Sequence, residues 1–205
     1  SKINIRAVMA YSEESGVDDP HNGIYRNTAL GASYNTLYSD RYLMTPELSK
    51  LSNYAGLVPY DQIVILVNTE KYGGGGIYNF YSINSTRGRK NLEVFIHEFG
   101  HSFAGLADEY YSSEVSYNDY FPLDVEPWEP NITTRINFSS KWESMIESDT
   151  PIPTPAKTKY ENTVGLFEGG GYVAKGVFRP FIDCRMKTNE AKDFCPVCSL
   201  AVIKT

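Results

Sequence analysis

Two of the three histidines in this chain lie in the stretch VFIHEFGHSFAGLADEY, residues 94–110, four positions apart with a glutamate directly after the first. From Asn91 to about Ala104, apolar residues at Leu92, Phe95 or Ile96, Phe99 and Phe103 recur at helical spacing, which predicts an amphipathic helix. Residues i and i+4 of a helix share a face, with Cβ atoms about 5–6 Å apart. The imidazoles of His97 and His101 can therefore converge on one ion at the roughly 2.0–2.1 Å of a zinc–nitrogen bond. Glu98 stands one position on, so its carboxylate points beside the ion rather than at it. From there it can take a proton from a zinc-bound water, whose pKa the metal lowers to about 7. The bland alternative is a solvated helix face that carries two unrelated histidines, and the flanking residues weigh against it.

A zinc ion with an open tetrahedral position needs a third protein ligand. Gly105 follows four residues after His101, and helices commonly end at a glycine able to adopt positive φ. The chain can then reverse and return a nearby side chain to the ion. Zinc proteases with the pattern HExxHxxGxxH take their third ligand three residues beyond that glycine, which here is Asp108. This chain has one extra residue before the glycine, and an aspartate where that pattern has its last histidine. Asp108 is the expected third ligand. Glu109 is the alternative, or a group that orients one of the histidines.

The 205 residues suffice for one domain with a core, divided into two lobes around a cleft. No apolar run approaches the roughly 18 residues of a membrane span. A net charge of −6 without a basic stripe argues against nucleic acid as a partner. Sixteen tyrosines and ten phenylalanines read mainly as core and hydrogen-bonded surface, with some capacity to grip a polymer. The start, SKINIRAVMAYSEESG, shows no basic segment followed by an apolar run, so no signal peptide is read there. Cys184, Cys195 and Cys198 are compatible with one disulfide and a free thiol, and the single CPVC is a minor argument for a zinc knuckle or redox motif.

Along the chain, INIRAV alternates and reads as a strand. PELSKLSNYAGL reads as a helix stopped by Gly56, and QIVILVN, residues 62–68, as a buried central strand. Gly73 to Gly76 are either a flexible connection or a place where a peptide backbone comes close; no Lys-Ser/Thr pair follows to make a phosphate loop. IYNFYSIN then reads as an exposed or edge strand. Residues 112–162 look irregular apart from a helix at SSKWESMIES capped by Ser139 or Ser140, and FCPVCSLAVIKT reads as a short closing helix. His21, in DPHNGIY, reads as a surface residue. Tyr172, in EGGGYVAKG, reads as a packed hairpin residue, with a hydrogen-bond donor to an oxyanion as the functional alternative. Asn84, Asn131 and Asn137 head sequons that matter only in a eukaryotic secretory host. The pattern is an α/β lobe, residues 1–105, followed by an irregular lobe, residues 106–205.

HEFGHSFAGLADEYY, the block ILVNTEKYGGGGIYN before it and FRPFIDCRMKTNEAKDFCPVCSLA after it resemble the bacterial IgA peptidase family, which are metzincin-like zincins. The resemblance covers residues 60–111 and 164–200 well and the N-terminal part loosely. It implies a zincin fold of α/β class: a twisted mixed sheet with an active-site helix, then an irregular C-terminal part with a Met-turn and a closing helix. Carried over by position, His97, His101 and Asp108 are Zn2+ ligands, Glu98 is the catalytic base, and Met186 is the methionine of the Met-turn. The implied activity is zinc endopeptidase cleavage of a protein or peptide substrate, with host glycoprotein as one candidate, bound as an extended chain against an edge strand. The implied setting is secreted or cell-surface, in which Cys184 could pair with Cys195 or Cys198. The competing class is a zincin-fold module that binds glycoprotein without cutting it; retention of Glu98 counts against that class.

Overall fold

The computed structural model describes residues 3–111 and 120–205. It is of α/β class, with a mixed sheet and, among the described residues, three α-helices. The chain divides into two compact units, Ser1–Ser102 and Phe103–Thr205.

The first unit is built on a three-stranded sheet. Strand β1 (Ile63–Val67) runs parallel to β3 (Tyr81–Ser85), with Ile65 opposite Ile83. Strand β2 (Gly74–Ile77) runs antiparallel to β3 on its other side, with Gly75 opposite Ile83. Helix α1 (Leu48–Ala55) precedes β1 and ends at Gly56 as the sequence suggests, contributing Leu51 to the core. That core gathers Val17, Tyr34, Leu43, Leu51, Ile65, Val67, Tyr81 and Ile83. Helix α2 (Asn91–Ala104) follows β3 and has the bounds its periodicity predicts.

Four expectations need correction. The apolar run QIVILVN is not the central strand: the order β1-β3-β2 puts β1 at the edge, and only Ile65 and Val67 of its five residues are buried while Leu66 is 63% exposed. A continuous apolar run conceals which face is covered, because burial follows the partner and not the residue. IYNFYSIN is not one edge strand either. It is the end of β2, a turn with Asn79 at φ 53, and β3, which is central and buried along its whole length. No strand forms over residues 3–8, where Ile5 is 90% exposed. On α2, Leu92 is exposed, and the buried positions Val94, Glu98, Gly100 and Ser102 lie off the predicted apolar stripe.

The second unit has one antiparallel hairpin, β4 (Phe167–Gly170) and β5 (Val173–Arg179), with Phe167 opposite Arg179 and a bulge between Glu168 and Gly170. Thr133 pairs with Phe178 beside it, exchanging backbone hydrogen bonds of 3.0 and 2.8 Å. The closing helix forms as α3 (Pro196–Lys204). Residues 120–162 are irregular, as expected; positions 112–119 of that stretch lie outside the described residues. SSKWESMIES does not make a helix. It makes 3-10 turns at Phe138–Ser140 and Glu143–Met145, neither with a side-chain cap, broken at Lys141 (φ −100, ψ −125). There the Lys141 ammonium donates to the carbonyls of Pro127 and Glu129, while the Trp142 indole N–H donates to Gly165 O at 2.8 Å. These tertiary bonds replace the helical ones. The main core of this unit centres on Trp142, Leu166, Phe178, Met186 and the three cysteines.

Candidate metal and catalytic site

In the first unit the i, i+4 spacing brings the two histidines together. Their Nε2 atoms are 3.0 Å apart and the rings stand edge to face, 4.7 Å between centroids. Two nitrogen donors on a tetrahedral zinc at about 2.0–2.1 Å stand roughly 3.3 Å apart, so the pair has nearly the spacing one ion requires. Both rings are half-buried, and Glu98, one residue on, is 9% exposed. The donor set, two imidazoles beside a shielded carboxylate, fits a borderline-soft divalent ion with a general base next to it.

The glycine run explains how a carboxylate can be shielded there. A Cβ on Gly76 would come within 2.5 Å of the Glu98 carbonyl oxygen and 2.9 Å of His101 Cβ; one on Gly74 would come within 2.8 Å of Glu98 Cγ. Strand β2 therefore presses bare backbone against the helix face that bears Glu98 and His101. The run is thus a strand rather than a flexible connection, and the neighbour it approaches closely is the protein's own helix. The β2–β3 turn is tied to the same helix by Asn79 N–H donating to Ser102 O at 2.8 Å.

Asp108 belongs to the second unit. Gly105 adopts φ 61 and ends α2, as its position predicts, and the residues after it carry no regular secondary structure. Gly171 N–H donates to Asp108 O at 2.8 Å and Tyr172 N–H to Tyr110 O at 2.9 Å, which stitches this segment to the β4–β5 turn. On the other side Glu109 N–H donates to Met186 O at 2.8 Å. The Asp108 carboxylate is 6% exposed, and the Tyr172 hydroxyl donates to its Oδ2. Tyr172 sits at φ 64 in the turn, with its ring edge-on to Tyr110 and Tyr120. Its hydroxyl thus has a definite partner that neither sequence reading of Tyr172 named.

Glu109 has partners different from those of Asp108. Its Oε1 accepts from Asn131 Nδ2 at 3.0 Å and from the Cys198 thiol at 3.2 Å. Burial raises its carboxyl well above the usual range, with the Cys184 side chain adding to the effect and the Asn131 hydrogen bond opposing it. Asn131 also accepts from Ala107 N–H at 2.7 Å and donates to Ala107 O at 2.9 Å, so one amide fixes both ends of the turn leaving α2. It is fully buried, which removes it as a glycan acceptor in the folded chain. Reading it only as the head of a sequon missed this role, and no local pattern marks it.

Met186 is wholly buried in a tight turn closed by Lys187 N–H donating to Cys184 O at 2.8 Å. The disulfide implied for Cys184 is not formed: all three cysteines are free and buried, with Cys184 and Cys198 sulfurs 3.7 Å apart. His21 is exposed, as expected, with Nδ1 3.6 Å from Asp40 Oδ1. The family model for IgA Peptidase M64 matches the chain over residues 1–162 and 156–205. Comparison with curated proteins gives no match.

Proposed function

Because the chain belongs to the IgA peptidase M64 family, a family of metallopeptidases that act on protein substrates, we propose that it is a zinc-dependent endopeptidase with Glu98 as general base. His97, His101 and Asp108 are the proposed ligands. The observation that carries the reading is the imidazole pair, 3.0 Å between Nε2 atoms, beside a buried glutamate on one helix. Gly105 at φ 61, three residues before Asp108, supports the third ligand.

Bound there, zinc supplies an activated water at neutral pH and a Lewis acid for the scissile carbonyl. Glu98 would be the base that accepts a proton from the attacking water and the acid that returns it to the leaving amine, one carboxylate serving both roles. The glycine backbone of β2 keeps bulk water off its carbon chain. The Tyr172 hydroxyl holds the Asp108 carboxylate in one orientation, the service that ligand-bonded donors commonly perform. With β2 as an outer strand of the three-stranded sheet, its Gly76–Ile77 end, beside His101, is the proposed place for an extended peptide to add as a strand. The proposed setting is secreted or cell-surface and bacterial, with host glycoproteins among the substrates. Among the described residues no helix is long and apolar enough to cross a membrane.

The test is cleavage mapping by mass spectrometry, on a mixed proteome that includes immunoglobulin A, for the native chain and Glu98→Gln. Zinc is measured on both. Internal cuts by the native protein, absent from a zinc-loaded Glu98→Gln, are expected. Undiminished cutting by the variant removes Glu98 as the base. Stoichiometric zinc with no cuts from the native chain points instead to a glycoprotein-binding module.

A further inference from the structure

The second unit holds a cluster that the proposed reaction does not use. Glu109, Cys184, Cys195 and Cys198 are all buried, and each offers one donor atom within 4.8 Å of the others. We propose that these four residues form a structural zinc site of three thiolates and one carboxylate. It shares no residue with the proposed catalytic centre.

The spacing fits an ion. Two thiolates about 2.3 Å from a tetrahedral zinc stand roughly 3.75 Å apart, and the Cys184 and Cys198 sulfurs are 3.7 Å apart. A thiolate and a carboxylate oxygen on the same ion stand roughly 3.5 Å apart, against 3.2 Å between Cys198 Sγ and Glu109 Oε1. A disulfide would serve two of the sulfurs and leave the third and the glutamate idle.

Glu109 supplies a second, independent observation. Its side chain is 0% exposed, and Oε2 has no hydrogen-bond partner among the described residues. A buried carboxylate with one oxygen left that way is costly, and a dication bound by the carboxylate would offset the cost. The surroundings are those of a metal site as well. Asn131 Nδ2 donates to Glu109 Oε1, and Cys195 N–H donates to Cys184 Sγ at 3.1 Å, which orients both ligands. Cys195 stands at the N-cap of α3 and Cys198 in its first turn, so one short helix presents two of the sulfurs to the cluster. Thiolate donors select zinc over magnesium or calcium. The ion would join the chain leaving α2, the Met186 turn and the closing helix. That is a considerable staple in a unit whose regular structure, among the described residues, is a hairpin, a nine-residue helix and short 3-10 turns.

The test is cobalt substitution in the full chain and in a His97→Ala/His101→Ala variant, which leaves the cluster intact. A sulfur-to-cobalt charge-transfer band is expected in both, with zinc retained by the double variant when loaded with zinc instead. Cys198→Ser is expected to lose the band. If that variant does not fold, the double variant still decides. A native disulfide among the three cysteines, or a double variant with neither band nor zinc, overturns the proposal. Because thiolate absorption does not depend on turnover, a failure of the peptidase reading leaves this result standing.

Discussion

In the proposed site, a carboxylate beside two imidazole ligands has to be kept off the ion to act as a base, and the helix places Glu98 about 100° around the axis from His97. Glu98→Gln is expected to keep zinc and lose about 10²–10⁴-fold in turnover, read as peptide cleavage against metal content. Tyr172 acts one step back. Tyr172→Phe removes the hydroxyl from Asp108 and is expected to weaken zinc binding about 10–100-fold in competition with a chelator. Unchanged affinity would reduce Tyr172 to packing. Asn131→Ala strands Ala107 N–H, Ala107 O and Glu109 together, and is expected to cost about 3 kcal/mol in urea unfolding. The histidines and Glu98 could be read from spacing alone. Tyr172 and Asn131 could not be assigned their contacts, since their partners lie 64 and 24 residues away in the chain.

Strand β2 is an element made of backbone, and its glycines are there for what lies behind them. Gly76→Ala would drive a methyl into the Glu98 carbonyl, and the strand or the helix must yield. A loss of about 1–3 kcal/mol is expected in urea unfolding, accompanied by weaker zinc binding through the displaced His101. An unaffected variant would mean that strand and helix are not held together. The connection from β1 to β2 is pinned separately. Lys71 Nζ donates to Asp19 and Asp40, each at 2.8 Å, and lies 4.7 Å from the centre of the Tyr34 ring. Burial alone would raise the Asp19 carboxyl, but hydrogen bonds from Lys71 and Asn22 and the Lys71 charge outweigh it and leave it below the usual range. A carboxyl lowered in the folded state stabilises above its unfolded value, about pH 4, and that contribution fades as pH falls through the folded value. The stability difference between the native chain and Lys71→Met is therefore expected to be largest above about pH 5 and to shrink in more acid solution. A difference that does not change with pH would exclude Asp19 as its source.

At the scale of the whole chain, chelation is expected to act twice. It should stop hydrolysis through the histidine site, and it should lower the melting temperature through the cysteine cluster, by about 2–4 °C for each kcal/mol of binding lost. The His97→Ala/His101→Ala variant separates the effects: it is expected to be inactive from the start and still to melt lower in chelator, as scanning calorimetry would show. What the residues determined by themselves was local. The 3.6-residue period produced α2 with its paired histidines and Glu98, Gly105 ended it, and α1 and α3 form within the stretches read as helices, because helical interactions close within a few positions of the chain. Tertiary structure decided the rest. It made β3 and not β1 the central strand, turned a glycine run into a packing surface, broke the helix at SSKWESMIES, and gathered three free cysteines around Glu109. Cys198 and Glu109 stand 89 residues apart, and no sequence period reports such a contact. It exists only because folding removes both groups from water, and each must then find its partner inside.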